Sequence, residues 1–334
     1  MTSIDDNTKE ITWLAIVNPH AGSGKTMPVW KKAARLLGGK NIKFEVRYTD
    51  CKYHATKIAR ESAQQGYRRF ISVGGDGTVH EVLDGLMRFV EESAKGGSPV
   101  PISDFVLSVI PIGSGNDWIK SHNVTHDLDR IASLLASESF AQQDVVKVTV
   151  LRDEGKAEIP SDTSYMVNVA GVGFDAEVCR RVNAQKDQGK QGKLLYIKSL
   201  IYNLFHYKPT KLAIECDGKT AFSGSCLSVA FGTGKYSGGG LRQTPEAVTD
   251  DGLVDVTVIP EVSWWTIITS APKLLTGKLL TVKQLIVRKA KKVRVLPLEP
   301  VPALVEVDGE ILGNVPVHFD VLSDKINVLH DYLD

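Results

Sequence analysis

The sequence is poor in cysteine, in net charge and in long apolar runs, and each shortage excludes a class of protein. Its 4 cysteines among 334 residues form no C-x-x-C pair and are too few for a disulfide scaffold. Lysine and arginine total 40 against 39 aspartates and glutamates, and a net charge of +1 gives no support for a nucleic-acid partner. The longest apolar stretches, such as 106–112, fall far short of the roughly 20 residues that span a bilayer. We therefore expect neither a transmembrane segment nor nucleic-acid binding.

The amino terminus, MTSIDDNTKE, has neither the basic nor the apolar segment of a secretory signal. Together with the scarce cysteines, this predicts a cytoplasmic protein. A length of 334 residues, at roughly 150 residues per domain, predicts two domains.

The first part of the chain, 11–143, repeats one pattern four times. A short apolar run ends in a polar or glycine-rich turn and is followed by apolar residues at helical spacing. The four runs are TWLAIV (12–17), KFEVRYT (43–49), RFISV (69–73) and DFVLSVIPI (104–112). Strand, turn and helix in this order predict an α/β domain with an open, mostly parallel sheet.

The second part, 144–319, has a different pattern. Eight segments rich in valine and other apolar residues alternate with glycine, aspartate or proline turns, and one helical stretch interrupts them at about 189–205. This predicts a mainly antiparallel β-sandwich domain, with a cleft between it and the α/β domain.

The sequence GGDGT (74–78) directly follows an apolar strand. Three glycines allow positive φ angles and a close approach of the backbone to a polyphosphate, so this turn is a candidate nucleotide site. A plain structural alternative is a capping box, in which Thr78 and Glu81 close the amino terminus of the next helix. That alternative does not account for three glycines around an aspartate.

A second glycine turn, GSGND (113–117), follows the next strand, and NPHAGSGK (18–25) follows the first. The carboxyl ends of neighbouring strands form the usual ligand crevice of an open α/β sheet. The conjunction of these turns therefore predicts a nucleotide site at this edge of the sheet.

Two acidic turns stand out in the second part. DDGL (250–253) and DGE (308–310) lie at strand boundaries, where Asp-Gly commonly forms a hairpin turn. Phosphoryl transfer also needs carboxylates, both for Mg²⁺ and for the acceptor hydroxyl. By contrast, GVGFDA (171–176) fits a dinucleotide fingerprint only superficially, because no second parallel strand follows. His122 and His126 lack the glutamate of a zinc motif, and we expect both at the surface.

A basic stretch follows Trp264 and Trp265. It is either a solvated strand face or a surface that docks on an anionic membrane. Its basic residues are Lys273, Lys278, Lys283, Arg288, Lys289, Lys291, Lys292 and Arg294.

Taken in order, these motifs resemble the diacylglycerol kinase catalytic-domain family, which includes bacterial lipid kinases, sphingosine kinases and ceramide kinases. The resemblance rests on NPHAGSGK, SVGGDGTVHEVLDGL, IPIGSGND, GGGLRQTPEAVTDDGLVDV and VEVDGE, and it covers nearly the whole chain. It implies an ATP- and Mg²⁺-dependent kinase that phosphorylates a lipid hydroxyl at a membrane surface, with transient membrane association. It also implies that the last strand, about 320–334, returns to the first domain, and it allows a homodimer.

The resemblance also assigns roles to single residues. Glu310 is the general base for the lipid hydroxyl, Asp308 supports it, and Asp76 faces the phosphates or their Mg²⁺; in an alternative assignment Asp76 is the base. A second, structural Mg²⁺ site falls on Asp251 and the backbone of Leu253. The resemblance implies an outer carboxylate where Val248 stands, and Asp250 is the residue that could compensate for it. The implied nucleotide contacts are Asn18, Thr49, Gly74, Gly75, Asp76, Gly77, Thr78, Val79, His80, Ser114 and Asn116.

Two other functions stay open at this point. NAD kinases share the GGDGT turn and a β-rich second half, so a kinase of a soluble substrate is one alternative. A nucleotide-binding regulator without turnover is the other. The later motifs favour a lipid kinase, and the acidic residues at 76, 251 and 310 favour an enzyme.

Overall fold

The computed structural model of the chain describes residues 12–113, 115–153, 158–188 and 193–332. Its first part alternates strands and helices. These are β1 (Trp13–Val17), α1 (Thr26–Gly39), β2 (Phe44–Tyr48), α2 (His54–Gln64), β3 (Arg69–Gly74), α3 (Asp76–Lys95), β4 (Val106–Pro111) and α4 (Leu128–Ala136).

Strand β1 lies at the centre of this part. All five of its residues are buried, as expected for a parallel strand that has helices on both faces. β1 pairs in parallel with β2 and β3, and β3 pairs in parallel with β4. The predicted α/β fold with a mostly parallel sheet is therefore confirmed.

Helices α2 and α3 pack closely because of Gly85. A Cβ atom at this position would lie 2.3 Å from the carbonyl oxygen of Thr56 and 2.8 Å from the Cβ of Ala59. Only glycine permits this approach, and the contact fixes the direction in which α3 leaves the GGDGT turn.

The second part consists mainly of antiparallel strands around a separate apolar core, in which Phe231 stacks on Phe319. The strands are β5 (Phe140–Asp153), β6 (Glu158–Met166), β7 (Val169–Gly173), β8 (Thr210–Cys216), β9 (Lys219–Gly232), β10 (Val254–Pro260), β11 (Ile286–Ala290), β12 (Lys292–Pro297), β13 (Leu304–Val307), β14 (Glu310–Asn314) and β15 (Val317–Leu329). The predicted antiparallel second part is confirmed.

Strand β15 joins the two parts. Its first residues pair antiparallel with β12, and most of its length pairs antiparallel with β5. Near its end, Asn327 and Val328 pair in parallel with Val106 and Leu107 of β4. β5 also runs without interruption through 143–144, the boundary that the sequence predicts. Two long strands therefore connect the parallel sheet to the antiparallel one.

Among the described residues of the second part there are three α-helices, where the sequence predicts one helical stretch. They are α5 (Phe174–Asp187), α6 (Lys193–His206) and α7 (Trp264–Thr276). The predicted stretch at about 189–205 corresponds to α6, whereas α5 and α7 were missed. β7, which leads into α5, pairs antiparallel with β9 and β13, unlike the strands of a dinucleotide unit. Over the residues that the structure describes, no helix is long and apolar enough to cross a membrane.

The predicted surface position of His122 is wrong. The side chain is 1% exposed, and its Nε2 lies 2.6 Å from Oε1 of Gln143, which is also buried. Burial lowers the pKa of His122 to about 4, so the ring is neutral at neutral pH. His126, four residues later, is exposed as predicted.

Candidate active site

Two of the predicted glycine turns meet at the carboxyl ends of β3 and β4. The N–H of Ile112 donates to the carbonyl of Gly74 at 2.7 Å. A Cβ atom on Gly113 would lie 3.0 Å from the Cα of Gly75 and 2.5 Å from Oδ1 of Asn116. Glycine is required for this approach, and it makes the two turns one continuous surface.

Asp76 begins α3 and ties the two turns together. Its carboxylate accepts the backbone N–H groups of Asp117 and Trp118, each at 3.1 Å. These amides begin the short 3₁₀ helix Trp118–His122, which the carboxylate therefore caps. Burial, reinforced by the negative charge of Asp117, raises the pKa of Asp76. Asp76 thus has a structural task at the centre of the turns.

Thr78 and Asn18 connect the turn after β3 with the turn after β1. The side-chain amide of Asn18 donates to Oγ1 of Thr78 at 3.4 Å. A Cβ atom on Gly74 would lie 2.3 Å from that oxygen, so glycine is needed there. A Cβ atom on Gly77, by contrast, meets nothing within 4 Å. Open space therefore lies beside the first turn of α3.

The capping box of Thr78 and Glu81 is not formed. The carboxylate of Glu81 instead accepts the N–H groups of Tyr53 and Ala55, at 3.0 and 3.1 Å, where α2 begins. The N-cap residue of α3 is Gly75, which has no side chain to cap with. Helix capping therefore does not explain the glycines of this turn.

The remaining predicted nucleotide contacts differ in their burial and in their free polar atoms. Thr49 and Val79 are buried, and Val79 belongs to the apolar core behind the turn. Asn116 has a φ of +46° and a buried Oδ1 that has no hydrogen-bond partner within the described part of the chain. Ser114 lies outside the described residues.

His80 links the glycine turn to the second part of the protein. Its Nδ1 lies 3.2 Å from Oδ2 of Asp308, and its Nε2 lies 3.3 Å from Oγ of Ser164. Burial lowers the pKa of His80, but the hydrogen bond and charge of Asp308, helped by Asp84 and Glu310, outweigh burial and raise it. His80 and the Asp308 carboxylate thus form a buried pair between the two parts, which is an ion pair when the ring is protonated.

The carboxylate of Asp308 is fully engaged. Besides His80, it accepts the backbone N–H groups of residues 167–169 at 3.0 to 3.1 Å. Its side chain is 4% exposed. Because every oxygen is occupied and shielded, Asp308 organises the hairpin of β13 and β14 and is not open to a substrate.

Glu310, two residues later, is accessible. It lies on a cleft of about 460 Å³ between α2 and α3 on one side and β6 and β14 on the other. Its Oε2 is 2.6 Å from Nζ of Lys52. Burial opposes a charged Lys52, but the hydrogen bond and charge of Glu310 prevail and raise the pKa of Lys52. Of the three predicted catalytic acids, Glu310 alone faces this cleft.

At the acidic turn at 250–253, lysine ammonium groups and a backbone N–H occupy the oxygens that a metal ion would need. Oδ2 of Asp251 is 2.9 Å from Nζ of Lys289, and its Oδ1 accepts the N–H of Leu253 at 3.1 Å. The carbonyl of Asp250 accepts from Nζ of Lys325. Across the described ranges, no group of three or more histidine, cysteine, aspartate or glutamate side chains could hold a metal ion. The residues present therefore do not fit the structural Mg²⁺ site that the resemblance implies.

Sequence reasoning missed two residues of this region, Lys52 and Asp117. Oδ2 of Asp117 accepts the N–H of Gly239 at 2.6 Å, and its other oxygen pairs with Lys120. Asp117 belongs to the quoted GSGND turn, and Gly239 to a run of three glycines, so a signal for both was present. Lys52 lies in a loop without a motif, and nothing in the sequence indicates its pairing with Glu310.

Two family models match consecutive parts of the chain. The diacylglycerol kinase catalytic domain matches residues 12–148. The YegS C-terminal NAD kinase beta sandwich-like domain matches residues 168–330.

Curated relatives match most of the chain at low identity. A putative lipid kinase YtlR of Bacillus subtilis is 25% identical over 91% of this chain and 94% of its own length. A probable lipid kinase YegS-like of Xanthomonas euvesicatoria pv. vesicatoria is 26% identical over 89% of each chain. A diacylglycerol kinase of Bacillus subtilis is 26% identical over 84% of each.

Solved structures share the fold. A putative diacylglycerol kinase from Bacillus anthracis str. Sterne superposes with a TM-score of 0.71 at 24% identity, covering 97% of this chain and 99% of its own. A second diacylglycerol kinase structure from the same organism gives a TM-score of 0.69 at 22% identity, covering 97% and 98%.

Proposed function

Because the chain belongs to the diacylglycerol kinase catalytic-domain family, we propose that it is an ATP-dependent lipid kinase, which transfers the γ-phosphate of ATP to a hydroxyl of a lipid such as diacylglycerol or a sphingoid lipid. The family implies a kinase that uses ATP. One observation carries the proposal for this chain: the contact of His80 with Asp308 holds Glu310 on an open cleft that His80, in the early part of α3, also lines.

The glycine turns fit the phosphates of ATP. The backbone approaches closely at Gly75 and Gly113, and space is free beside Gly77. The amino terminus of α3 has no side-chain cap and adds a positive dipole end, which favours an anion. Oδ1 of Asn116, which has no hydrogen-bond partner in the described part of the chain, can accept from a hydroxyl or amino group of the nucleotide but not bind its phosphates.

Mg²⁺ bound to the ATP phosphates supplies neutralisation of the charge that develops during phosphoryl transfer. Each oxygen of Asp76 accepts a single N–H, so each keeps a lone pair that such an ion could use. Asp76 is therefore the residue we assign to a nucleotide-bound Mg²⁺. We assign no step to a second metal at 250–253.

Glu310 acts on the acceptor. Its accessible carboxylate accepts a hydrogen bond from the lipid hydroxyl, orients the oxygen toward the phosphate and takes the proton as transfer proceeds. Lys52, whose Nζ lies 2.6 Å from Oε2, positions this carboxylate before the hydroxyl arrives. Asp308 and His80 are positioning residues, because they hold the hairpin of Glu310 against α3.

Transfer of labelled phosphate from ATP tests the proposal. Mixed micelles with diacylglycerol or sphingosine, and NAD without lipid, serve as acceptors in parallel. We expect a labelled lipid and no labelled NAD. Labelled NAD would instead indicate the soluble-substrate kinase, and ATP binding without any transfer would indicate the regulator.

Replacing Gly77 with alanine is expected to raise the KM for ATP about tenfold, a loss of about 1.4 kcal/mol of binding. The new methyl group enters the free space that we assign to the phosphates. The fold itself gains from the change, because alanine stabilises a helix by about 0.5–1 kcal/mol relative to glycine. Steady-state kinetics and a thermal melt measure both effects.

Gly38→Ala is the matched control, since Gly38 also lies in a helix with nothing within 4 Å of a Cβ atom. It is expected to raise the melting temperature and leave the KM unchanged. An unchanged KM in Gly77→Ala would show that the phosphates bind elsewhere.

We also propose that an otherwise cytoplasmic protein reaches its lipid through transient contact of α7 with an anionic membrane. Trp265 is 77% exposed and Leu275 is 63% exposed, and the sequence of α7 contains Lys273 but no acidic residue. Part of the basic stretch is already neutralised, because Lys289 pairs with Asp251 and Lys292 with Asp320. The exposed apolar side chains of α7 therefore carry this proposal more than the basic strands do.

Trp265→Glu is expected to weaken binding to phosphatidylglycerol vesicles about tenfold or more, since burial of a large apolar side chain contributes about 1.5–3 kcal/mol. Vesicle flotation measures the bound fraction. Leu298→Glu, an equally charged change at a side chain that is 47% exposed outside α7, is the control. Equal binding of the two variants to the vesicles would show that α7 is not the part of the protein that contacts the membrane.

A further inference from the structure

Carboxylates from other parts of the chain lie beside the acidic turn at 250–253. Asp144 at the start of the antiparallel part is 0% exposed, and its Oδ2 accepts the N–H of Gly252 at 2.7 Å. Asp255 in β10 is 2% exposed. With Asp251, three carboxylates therefore lie around this turn, and two of them are shielded from water. Such carboxylates need a positive partner.

Two lysines provide the partners. Nζ of Lys289 lies 2.9 Å from Oδ2 of Asp251, 3.2 Å from Oδ2 of Asp255 and 3.4 Å from the carbonyl oxygen of Glu246. The antiparallel pairing of β10 and β11 puts Lys289 directly opposite Asp255, so the backbone fixes this contact.

Lys325 of β15 repeats the arrangement. Its Nζ contacts the carbonyl oxygen of Asp250 and lies 3.4 Å from Oδ1 of Asp144. Each ammonium thus meets carboxylate and carbonyl oxygens, which are the ligand types of a hard divalent cation. Val248, where the resemblance implies an outer carboxylate, offers no oxygen from its side chain.

We propose that the ammonium groups of Lys289 and Lys325 replace the structural divalent cation that the resemblance implies, so that the turn at 250–253 folds without metal and does not bind Mg²⁺. This proposal concerns the stability of the turn and does not depend on the acceptor of the kinase reaction.

The first test is a thermal melt of the nucleotide-free protein in EDTA and in MgCl₂. A concentration of about 10 mM MgCl₂ is on the order of ten times the Kd of a weak Ca²⁺ site. We expect the same melting temperature in both. A rise with Mg²⁺ that disappears in Asp251→Asn would overturn the proposal, because the turn would then bind the ion despite its lysines.

The second test removes one ammonium. Lys289→Met keeps the aliphatic stem, and we expect its melting temperature in EDTA to fall by about 3–8 °C. Mg²⁺ should recover part of this loss, because Asp251, Asp255 and the carbonyl of Glu246 are left without a cation. Lys291→Met, at an exposed neighbouring lysine, controls for loss of one surface charge. A Lys289→Met protein as stable as this control, or one that Mg²⁺ fails to stabilise, contradicts the proposal.

A direct titration covers the case in which Lys289→Met does not fold. Mn²⁺, detected by electron paramagnetic resonance, is added to the full-length wild-type protein and to Asp251→Asn without nucleotide. Equal binding to both supports the proposal, whereas additional binding to the wild type overturns it.

Discussion

Glu310→Gln is expected to lower the rate of lipid phosphorylation at least about 100-fold, the scale for loss of a positioned proton acceptor. Glutamine keeps the size of the side chain but cannot take the hydroxyl proton. The KM for ATP should stay unchanged, because Glu310 faces the cleft of α2, α3, β6 and β14 and not the glycine turns. Single-turnover transfer to mixed-micelle lipid, with ATP varied, separates the two quantities.

The geometry of the three candidate acids explains why the largest effect is expected at Glu310. Asp308 accepts three backbone N–H groups and contacts His80, so it has no free oxygen for a substrate. Asp76 caps the 3₁₀ helix Trp118–His122 with both oxygens. Glu310 has one lysine partner and is 25% exposed. Glu310 is therefore the stronger candidate for the base. Asp76 is the alternative, because each of its oxygens accepts only one N–H group.

Glu61→Gln provides the matched control, since Glu61 is an exposed glutamate near a lysine of the same helix, Lys57. Its transfer rate should equal that of the wild type. If Glu310→Gln retained full activity while Asp76→Asn lost it, the role of base would pass to Asp76, and Glu310 would be a residue of the lipid entrance only.

Much of the fold follows from patterns that are local in the sequence. Three of the four runs in the first part, β1, β3 and β4, are almost entirely buried because they are mostly apolar, whereas β2 (FEVRY) alternates and lies half-exposed at the sheet edge. The helices between them follow from apolar spacing. The meeting of GGDGT with GSGND follows as well, since neighbouring parallel strands end at the same edge of a sheet. The helices α5 and α7 were missed because one follows a glycine turn and the other contains Pro272, both of which resemble loop sequence.

The candidate site was less accessible to sequence reasoning, because its contacts join distant residues. His80 and Asp308 are 228 positions apart, and only the tertiary fold brings them together. The same holds for Lys289, which reaches Asp251 across the pairing of β10 and β11. A motif identifies the acid at such a site but not the cation that neutralises it.

Asp308→Asn is expected to destabilise the protein by about 3–5 kcal/mol, the cost of breaking a buried ion pair by removing one partner. Asparagine tolerates the positive φ of this position, which is +49°, so the backbone of the turn is kept. Its Oδ1 can still accept from residues 168 and 169, but an NH₂ group in place of Oδ2 cannot accept from Val167, and His80 loses its counter-charge. Urea unfolding measures the loss, with Asp324→Asn on exposed β15 sequence as the control.

The pH dependence separates the ion pair from the backbone hydrogen bonds of Asp308. The pKa of His80 in the folded protein lies above its ordinary value of 6.5, so the pair stabilises the fold fully below pH 6.5. This contribution disappears as the pH rises through the raised pKa, because the folded protein then gives up the proton it had held. The wild type should therefore lose part of its advantage over Asp308→Asn as the pH rises above 6.5 and through the raised pKa of His80. The advantage that persists at the higher pH belongs to the hydrogen bond from the N–H of Val167, which the asparagine NH₂ group cannot accept. A difference that stayed constant over this range would show that His80 carries no proton in the folded protein, and Asp308 would then organise the hairpin through its backbone contacts alone.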